Sequence, residues 1–143
     1  MPSYTIEETI NKLLHATPPI TALVSTRIYS NKPSNTAVVP YLFYQLEDES
    51  FVEETFSTPS DMPRNAMLTI SCVADRATAG TKAARDIAEA AFGMLLNYKG
   101  TPVVGGKEIL AVHGMSIGAN LDEDSASDEQ SIIREVRATV CYR

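Results

Sequence analysis

The sequence has few basic side chains and no long apolar run. Its 143 residues carry 12 Lys plus Arg against 18 Asp plus Glu, a formal net charge of −6. Such an acidic chain gains little from phosphate contacts and counterion release, so tight nucleic-acid binding is not expected. No stretch approaches the roughly 18 apolar residues of a membrane span, and the acidic, amphipathic N-terminus is unlike a signal peptide. We therefore expect a soluble protein made in a cytoplasm, with no membrane partner.

Cysteine and histidine are scarce, with two of each. Cys72 and Cys141 lie in apolar stretches without metal-ligand spacing, which favours free, buried thiols. His15 ends a predicted helix, where it can bond to carbonyl groups, and His113 lies in a predicted strand as a solvated side chain. Because no nucleophile, base or metal-ligand set can be assembled, we predict no catalytic residue, no cofactor and no metal, and a protein that is not an enzyme.

Phosphate-binding and calcium-binding loops are also missing. Residues 99–109, KGTPVVGGKEI, lack the spacing of a phosphate loop and precede a strand, so we interpret them as a turn. The acidic residues between 122 and 129 lack the internal glycine and the alternating carboxylates of an EF-hand. A solvated loop is the simpler interpretation.

What the sequence contains is typical of one globular domain over 1–143, with 44% hydrophobic and 21% charged residues. Thr5 and Glu8 have the spacing of a capping box, which predicts a helix over about 5–16 that ends before Pro18. A short helical turn with Pro19 at its first position is predicted next. The strongest helix is predicted over about 78–98, where an apolar stripe consists of Ala83, Ile87, Ala90, Ala91, Met94 and Leu95.

Alternating β-branched and aromatic residues predict the strands. They cover about 27–29, 38–46, 67–74, 109–117 and 132–142. The order of elements predicts an α+β fold, in which a mainly antiparallel sheet packs against the long helix at 78–98, together with the N-terminal helix at 5–16. In the strand at 38–46 the aromatic side chains are interpreted as core packing rather than as a platform for nucleic-acid bases.

Two acidic segments, 47–62 and 118–130, are predicted to project from this domain. In the first, charges alternate with apolar side chains, which is typical of a surface that meets another subunit; its candidate interface residues are Phe51, Val52, Glu53, Glu54 and Phe56. The candidate residues of the second segment are Asp122, Glu123, Asp124, Asp128 and Glu129.

The arrangement resembles the tail completion (tail terminator) proteins of siphophages and prophages, the group that is similar to minor tail protein U. The resemblance is carried by Leu23 and Val24, by Arg27, Ile28 and Tyr29, and, after a variable loop, by Val39, Pro40, Tyr41, Leu42, Phe43 and Tyr44. It continues through the strand at 67–74, the Ala-rich helix and the closing pair of strands, and so covers most of the chain. The motifs themselves are short.

The resemblance implies a structural virion protein at the head-proximal end of the tail. Such a protein forms a ring with copies of itself, typically a hexamer, caps the major tail tube protein, ends tube polymerisation and contacts the head connector protein. DNA would pass through the ring without specific binding. The segment at 51–56 then becomes a candidate subunit or tube interface, and the segment at 122–129 a candidate lumen or interface loop.

Two other functions remain open at this point. A head-side connector completion or stopper protein would share the phage setting but bind the portal side. A small-ligand-binding domain outside phages would require an apolar pocket with a few convergent polar groups.

Overall fold

The computed structural model describes residues 5–31, 33, 40–51, 63–96, 98–102, 104–118, 121–122 and 131–143. Three helices and six strands occur in these residues. In chain order they are α1 (Ile6–His15), α2 (Pro18–Val24), β1 (Ile28–Ser30), β2 (Tyr41–Phe51), β3 (Arg64–Asp75), α3 (Arg76–Leu95), β4 (Ile109–Ile117), β5 (Leu121–Asp122) and β6 (Ser131–Tyr142). The predicted α+β class is confirmed.

The strands form a single sheet in the order β1-β2-β3-β6-β4, with β5 also pairing with β6. The β1–β2 pair is parallel, and the other pairs are antiparallel. β3 lies in the centre, and all 12 of its residues are paired with β6. The predicted, mainly antiparallel sheet is therefore confirmed, and β1, β4 and the short β5 lie at the edges among the described strands.

The N-terminal helices follow the capping and proline signals of the sequence. The Thr5 hydroxyl accepts a 3.2 Å hydrogen bond from the backbone N–H of Glu8, which satisfies one of the free donors of the first turn of α1. The helix predicted at 5–16 is thus confirmed as α1. The predicted helical turn is α2, which begins at Pro18 because a proline in the first turn needs no N–H donor.

The long helix is shifted from its predicted bounds of 78–98. α3 starts directly after β3 at Arg76 and ends at Leu95, where the backbone N–H of Tyr98 bonds to the Leu95 carbonyl in a tighter turn. Its fully buried side chains repeat at helical spacing and are Ala84, Ile87, Ala88, Ala91 and Leu95. The predicted stripe omitted Ala84 and Ala88. Alanines occur on several faces of this helix and have the same hydrophobicity, so the sequence does not show which of them are buried.

All three helices pack on one face of the sheet and form the main core with it. The sheet contributes alternate residues, including Leu42 and Tyr44 from β2 and Leu68, Ile70 and Cys72 from β3, as the alternating pattern predicted. Burial of each large aliphatic side chain contributes about 1.5–3 kcal/mol to folding. This core fixes which face of the sheet is left for other contacts.

β4 departs from strict alternation. Its residues that contact the main core are Ile109, Val112, Met115 and Ile117. The first three of these residues are spaced three apart instead of two, and this spacing coincides with register shifts between Ile109 and Ala111 and between His113 and Ser116. Each shift is a β-bulge, and at the second one Gly114 adopts a φ of 65°, a left-handed conformation that glycine favours. The bulges return the apolar residues to the core face.

Candidate assembly interface

The face of the sheet opposite to the helices, called the outer face below, is the first candidate interface. Residues directly opposite one another on paired antiparallel strands share a face. From one end of the sheet to the other, the outer-face rows of β2, β3 and β6 are Tyr41–Val73–Ile133, Phe43–Ser71–Glu135, Gln45–Thr69–Arg137 and Glu47–Met67–Thr139. None of these residues belongs to the main core. The outer face changes from apolar to polar along the strands.

The apolar end of the outer face is an aromatic cluster. The ring centroids of Tyr29 and Tyr41 lie 5.8 Å apart in an edge-on arrangement, and those of Tyr41 and Phe43 lie 6.4 Å apart. Val73 is fully buried beneath them, and Ile133 packs at the side. The prediction that these aromatic residues pack in a core is confirmed, with Tyr44 on the helix face and the others here.

The polar end of the outer face is more exposed. Met67 has 44% of its surface exposed, which is high for a large apolar residue in a central strand. Next to it, Arg137 lies 3.6 Å from the carboxylate of Glu135 along the same strand. Exposed ion pairs of this kind contribute little to stability. This end therefore presents a mixed surface of hydroxyl, amide, charged and thioether groups.

The two halves of the resemblance motif meet at the β1 edge. The Arg27 Nε–H donates a 2.8 Å hydrogen bond to the Pro40 carbonyl, and the Leu42 N–H donates a 3.1 Å bond to the Arg27 carbonyl. Ile28 pairs with Leu42 in the parallel register, and both are buried. The motif thus closes the parallel β1–β2 pair and supports the aromatic cluster, which gives its residues a structural role.

The first acidic segment begins inside the sheet. β2 continues to Phe51, which pairs with Arg64, after an irregularity between Glu47 and Ser50 that adds one residue to β2. Residues 47–51 are therefore one strand of a hairpin with β3. The candidate interface residues Val52, Glu53, Glu54 and Phe56 lie outside the described residues, and so does the side chain of Phe51.

The second acidic segment starts farther along the chain than predicted. The Gly118 N–H bonds to the Glu135 carbonyl at 2.8 Å, and Leu121 and Asp122 pair with β6 as β5. The hairpin between β4 and β6 thus extends to Asp122. The other predicted residues of the segment, Glu123, Asp124, Asp128 and Glu129, lie outside the described residues.

These two segments leave the sheet from opposite ends. The first joins β3 at Arg64, and the second joins β6 at Ser131, which pairs with Asp75 at the far end of β3. At about 3.3 Å per residue, Arg64 and Asp75 are separated by ~36 Å along the strand. Contacts made by one segment near the sheet are thus well separated from those made by the other.

A third candidate, the loop over 98–108, was interpreted from sequence only as a turn. Val104 at its tip is 86% exposed, more than any other large apolar residue in the described part of the chain. Gly105, with a φ of 82°, turns the chain directly after it. The available sequence signal was the pair of valines between Pro102 and Gly105, because apolar residues are uncommon at a solvated turn.

The titratable side chains are explained by their local surroundings. His15 Nδ1 lies 2.9 Å from the Asn11 carbonyl, as expected for a histidine at the end of a helix, and His113 is exposed. Burial raises the pKa of Cys72 to about 12 and also raises the pKa of the partly buried Cys141. Both thiols are free, but only Cys72 is fully buried. Within the described ranges, no three metal-ligating side chains come together.

One open cleft of about 430 Å³ lies between α1 and the β1 edge. It is lined by Glu7, Glu8, Asn11, Lys12, Ser30 and Tyr44, and its wall consists more of the carbon atoms of these residues than of their polar atoms. Because the cleft is open to solvent and carries two carboxylates, an amide, an ammonium and two hydroxyls, it differs from the enclosed apolar pocket that a small ligand usually requires. In the part of the chain that the structure describes, no helix is long and apolar enough to cross a membrane.

Comparisons with known proteins give matches in structure alone. No family model and no curated protein matches the chain. A chain in the virion of a native gene transfer agent particle is 18% identical with a TM-score of 0.57, over 99% of this chain and 100% of that one. A second solved chain is 13% identical with a TM-score of 0.53, over 94% of this chain and 92% of the other. The chain therefore shares its fold, over nearly its whole length, with a component of a virion particle.

Proposed function

We propose that this protein is a structural component of a phage-like virion, without catalytic activity. The observation that carries the proposal is the match to the gene transfer agent virion chain, which covers 99% of this chain and 100% of that one. A shared fold alone does not define a function. The surfaces described above are consistent with a role in assembly, because they include an outer strand face and exposed apolar residues.

Within the virion, we propose that the protein closes a ring, typically of six copies, on the head-proximal end of the tail tube. There it would end tube polymerisation and contact the head connector. The resemblance to tail completion proteins supports a location at this end of the tail. The two halves of the motif that carries the resemblance are joined by the 2.8 Å hydrogen bond from Arg27 to the Pro40 carbonyl. A closed ring needs two different complementary surfaces on each copy. The two acidic segments continue from described residues at opposite ends of β3, so they start at separated points of the domain.

The charge of the chain fits a ring through which DNA passes. With a formal net charge of −6, the protein repels phosphate groups, so DNA can slide without binding specifically. A head-side stopper protein would have the same requirement and would also belong to a virion. The position of the protein along the virion therefore has to be determined by measuring which partner it binds.

The test is to polymerise the cognate tail tube protein with and without this protein and to measure tube lengths by negative-stain electron microscopy. We expect shorter tubes, each with a ring of extra density at one end. A parallel reaction contains the portal and adaptor complex in place of tube protein, with binding followed by co-sedimentation. Heat-unfolded protein at the same concentration is the control for non-specific effects.

The outcomes separate the candidate functions. Capped, shortened tubes would support the terminator proposal. Unchanged tubes together with binding to the portal complex would assign the protein to the head side. Absence of binding in both reactions, with cognate partners, would contradict the virion proposal.

A further inference from the structure

The β1 edge of the sheet is open to a further strand. In the parallel β1–β2 pair, the Asn31 N–H donates a 3.0 Å bond to the Tyr44 carbonyl. This register directs the backbone groups of Tyr29 towards β2 and those of Ile28 and Ser30 away from it. Ser30 is exposed, and within the described ranges its N–H and the carbonyls of Ile28 and Ser30 make no backbone hydrogen bond. These three groups form a short row to which another strand can bond.

The cleft beside this edge has an excess of negative charge. Ser30 forms one side of it, and the first turn of α1 supplies Glu7 and Glu8. Both glutamates are exposed, and neither has an ion-pair partner in the part of the chain that the structure describes. Against these two carboxylates the cleft carries one ammonium group, that of Lys12. A further cation placed in the cleft would therefore be attracted.

The two faces of the β1 edge differ in chemistry. Ser30 pairs with Tyr44 and faces the helices, next to the cleft. Tyr29 pairs with Phe43 on the outer face, where it is a half-buried flank of the aromatic cluster. Because side chains of a strand alternate between faces, an added strand would place one side chain in the cleft and the next one against Tyr29.

We infer that the β1 edge binds an extended segment of a different protein, which adds a strand to the sheet and places a lysine or arginine in the cleft. The backbone groups of Ile28 and Ser30 attach the segment, and the pocket for its alternate side chain provides specificity. Glu7 and Glu8 bind the cation, and an apolar neighbour of that cation covers Tyr29. This inference does not depend on where the protein lies in a virion.

A second copy of this chain does not supply the required cation at its sheet edges. The described edge strands are β1, β4 and β5, and none of them contains a lysine or arginine. Pairing of two β1 edges would also bring two clefts with excess carboxylates close together, which is unfavourable. The charge of the cleft therefore favours a basic segment from another protein.

The test uses the full-length protein and a synthetic probe, acetyl-Gly-Thr-Val-Lys-Val-Thr-Gly-amide. Its lysine and threonines lie on one face of a strand and its valines on the other. Binding is followed by amide proton–nitrogen NMR, and we expect shifts at β1 and in the first turn of α1. At saturation, hydrogen exchange of the Ser30 N–H should slow by roughly tenfold, because this group becomes bonded.

Two altered probes separate strand addition from charge attraction. With glutamine in place of lysine, binding should weaken by about three- to tenfold, the effect of exposed charge pairs. With N-methyl groups on the lysine and both valines, the probe keeps its charge but loses the backbone donors of a strand. This probe should cause no shift at β1.

Variants of the protein test the same two contributions. Glu7→Gln with Glu8→Gln should abolish the preference for the lysine probe over the glutamine probe. Since both glutamates also favour the first turn of α1, this ratio is measured instead of affinity alone. The matched control, Asp86→Asn with Glu89→Gln, removes two carboxylates from α3 and should keep the preference.

Ser30→Pro removes the outward N–H and leaves the bonds between β1 and β2 in place, because an edge strand tolerates proline where its N–H faces solvent. It should weaken binding by roughly tenfold or more, the loss of a backbone bond and its geometry. Ser30→Ala keeps the N–H and should bind as the wild type does.

Several outcomes would overturn the inference. They are equal binding of the N-methylated probe, equal binding of the lysine and glutamine probes, shifts away from β1 and α1, and no shifts at the highest soluble concentration. A dimer of the protein alone, seen by sedimentation equilibrium and abolished by Ser30→Pro, would assign the edge to a second copy instead. None of these measurements uses tube protein, so a negative result leaves the proposed virion role standing.

Discussion

The Lys107 N–H donates a 3.1 Å hydrogen bond to the Thr9 hydroxyl and joins residues 98 positions apart in the chain. Thr9 is fully buried in α1, and its hydroxyl in turn donates to the Thr5 carbonyl at 2.8 Å. This single side chain thus connects the N-terminal helix to the loop over 98–108, which precedes β4. A buried polar group is compatible with the core when its hydrogen bonds are satisfied.

Thr9→Val should destabilise the protein, because it leaves the Lys107 N–H without its acceptor while preserving the shape of the side chain. We expect a loss of about 1–3 kcal/mol in the free energy of unfolding, measured by urea denaturation. Thr21→Val is the matched control, since its hydroxyl donates only locally, to the carbonyls of Pro18 at 3.2 Å and of the N-cap residue Thr17 at 3.4 Å. It should change the free energy by less than about 0.5 kcal/mol. Equal effects would contradict the role given to Thr9.

Two glycine-to-alanine substitutions should have opposite signs. Gly114→Ala places a side chain at a φ of 65° in the second bulge of β4, which costs about 1–2 kcal/mol of backbone strain. Gly93→Ala lies in α3, where no described atom beyond the adjacent helix backbone and chain neighbours is within 4 Å of the new methyl group, and should stabilise the protein by about 0.5–1 kcal/mol. Thermal denaturation of both variants measures the difference. A stabilising Gly114→Ala would show that the bulge does not require glycine.

Tyr142 carries a buried hydroxyl that has no hydrogen-bond partner among the residues that the structure describes. The residue is only 1% exposed, at the end of β6, so bulk solvent does not reach it. Removing the hydroxyl in Tyr142→Phe should leave stability unchanged or raise it by about 1 kcal/mol. Tyr142→Ala should cost about 3–5 kcal/mol, since it removes the whole ring from the core. A clear loss on Tyr142→Phe, by urea denaturation, would indicate that the hydroxyl is satisfied in solution.

The buried thiol of Cys72 should make the folded protein less stable at alkaline pH. Burial raises its pKa from 9.0 to about 12, so the thiol of the unfolded chain loses its proton at lower pH than the thiol of the folded chain. The stabilising effect is fully present below pH 9 and is lost as the pH rises from 9 through 12. The free energy of unfolding of the wild type should therefore fall more steeply over this range than that of Cys72→Ala. The partly buried Cys141, substituted as Cys141→Ala, should change this slope much less.

The elements that local chemistry defines could be predicted from the sequence. The capping pair Thr5 and Glu8 located α1, and the alternation of Leu68, Ile70 and Cys72 assigned the faces of β3. These signals depend on neighbours within a few residues. The apolar stripe of α3 was only partly assigned, because alanines on adjacent helix faces differ little in hydrophobicity.

Features that depend on the register between distant strands could not be predicted. The shift between His113 and Ser116 returns Met115 and Ile117 to the core face, and it is defined only by pairing with β6. In the same way, pairing with Ile132 places the backbone of Asp122 in the sheet, although its carboxylate suggested a loop. The loop that carries Val104 is attached through Lys107 to Thr9 of α1 and through Glu108 to Arg143, which are also distant in the chain. Periodicity in one segment carries no information about such partners.

The two bulges of β4 also affect how copies of the chain can add to one another. A flat edge strand presents an even row of free backbone donors and acceptors, which another strand can extend without limit. On β4, two register shifts within nine residues interrupt that row. A strand added there would lose its register within a few residues. The edge therefore disfavours open-ended, amyloid-like growth, and association is directed to side-chain surfaces with a defined geometry.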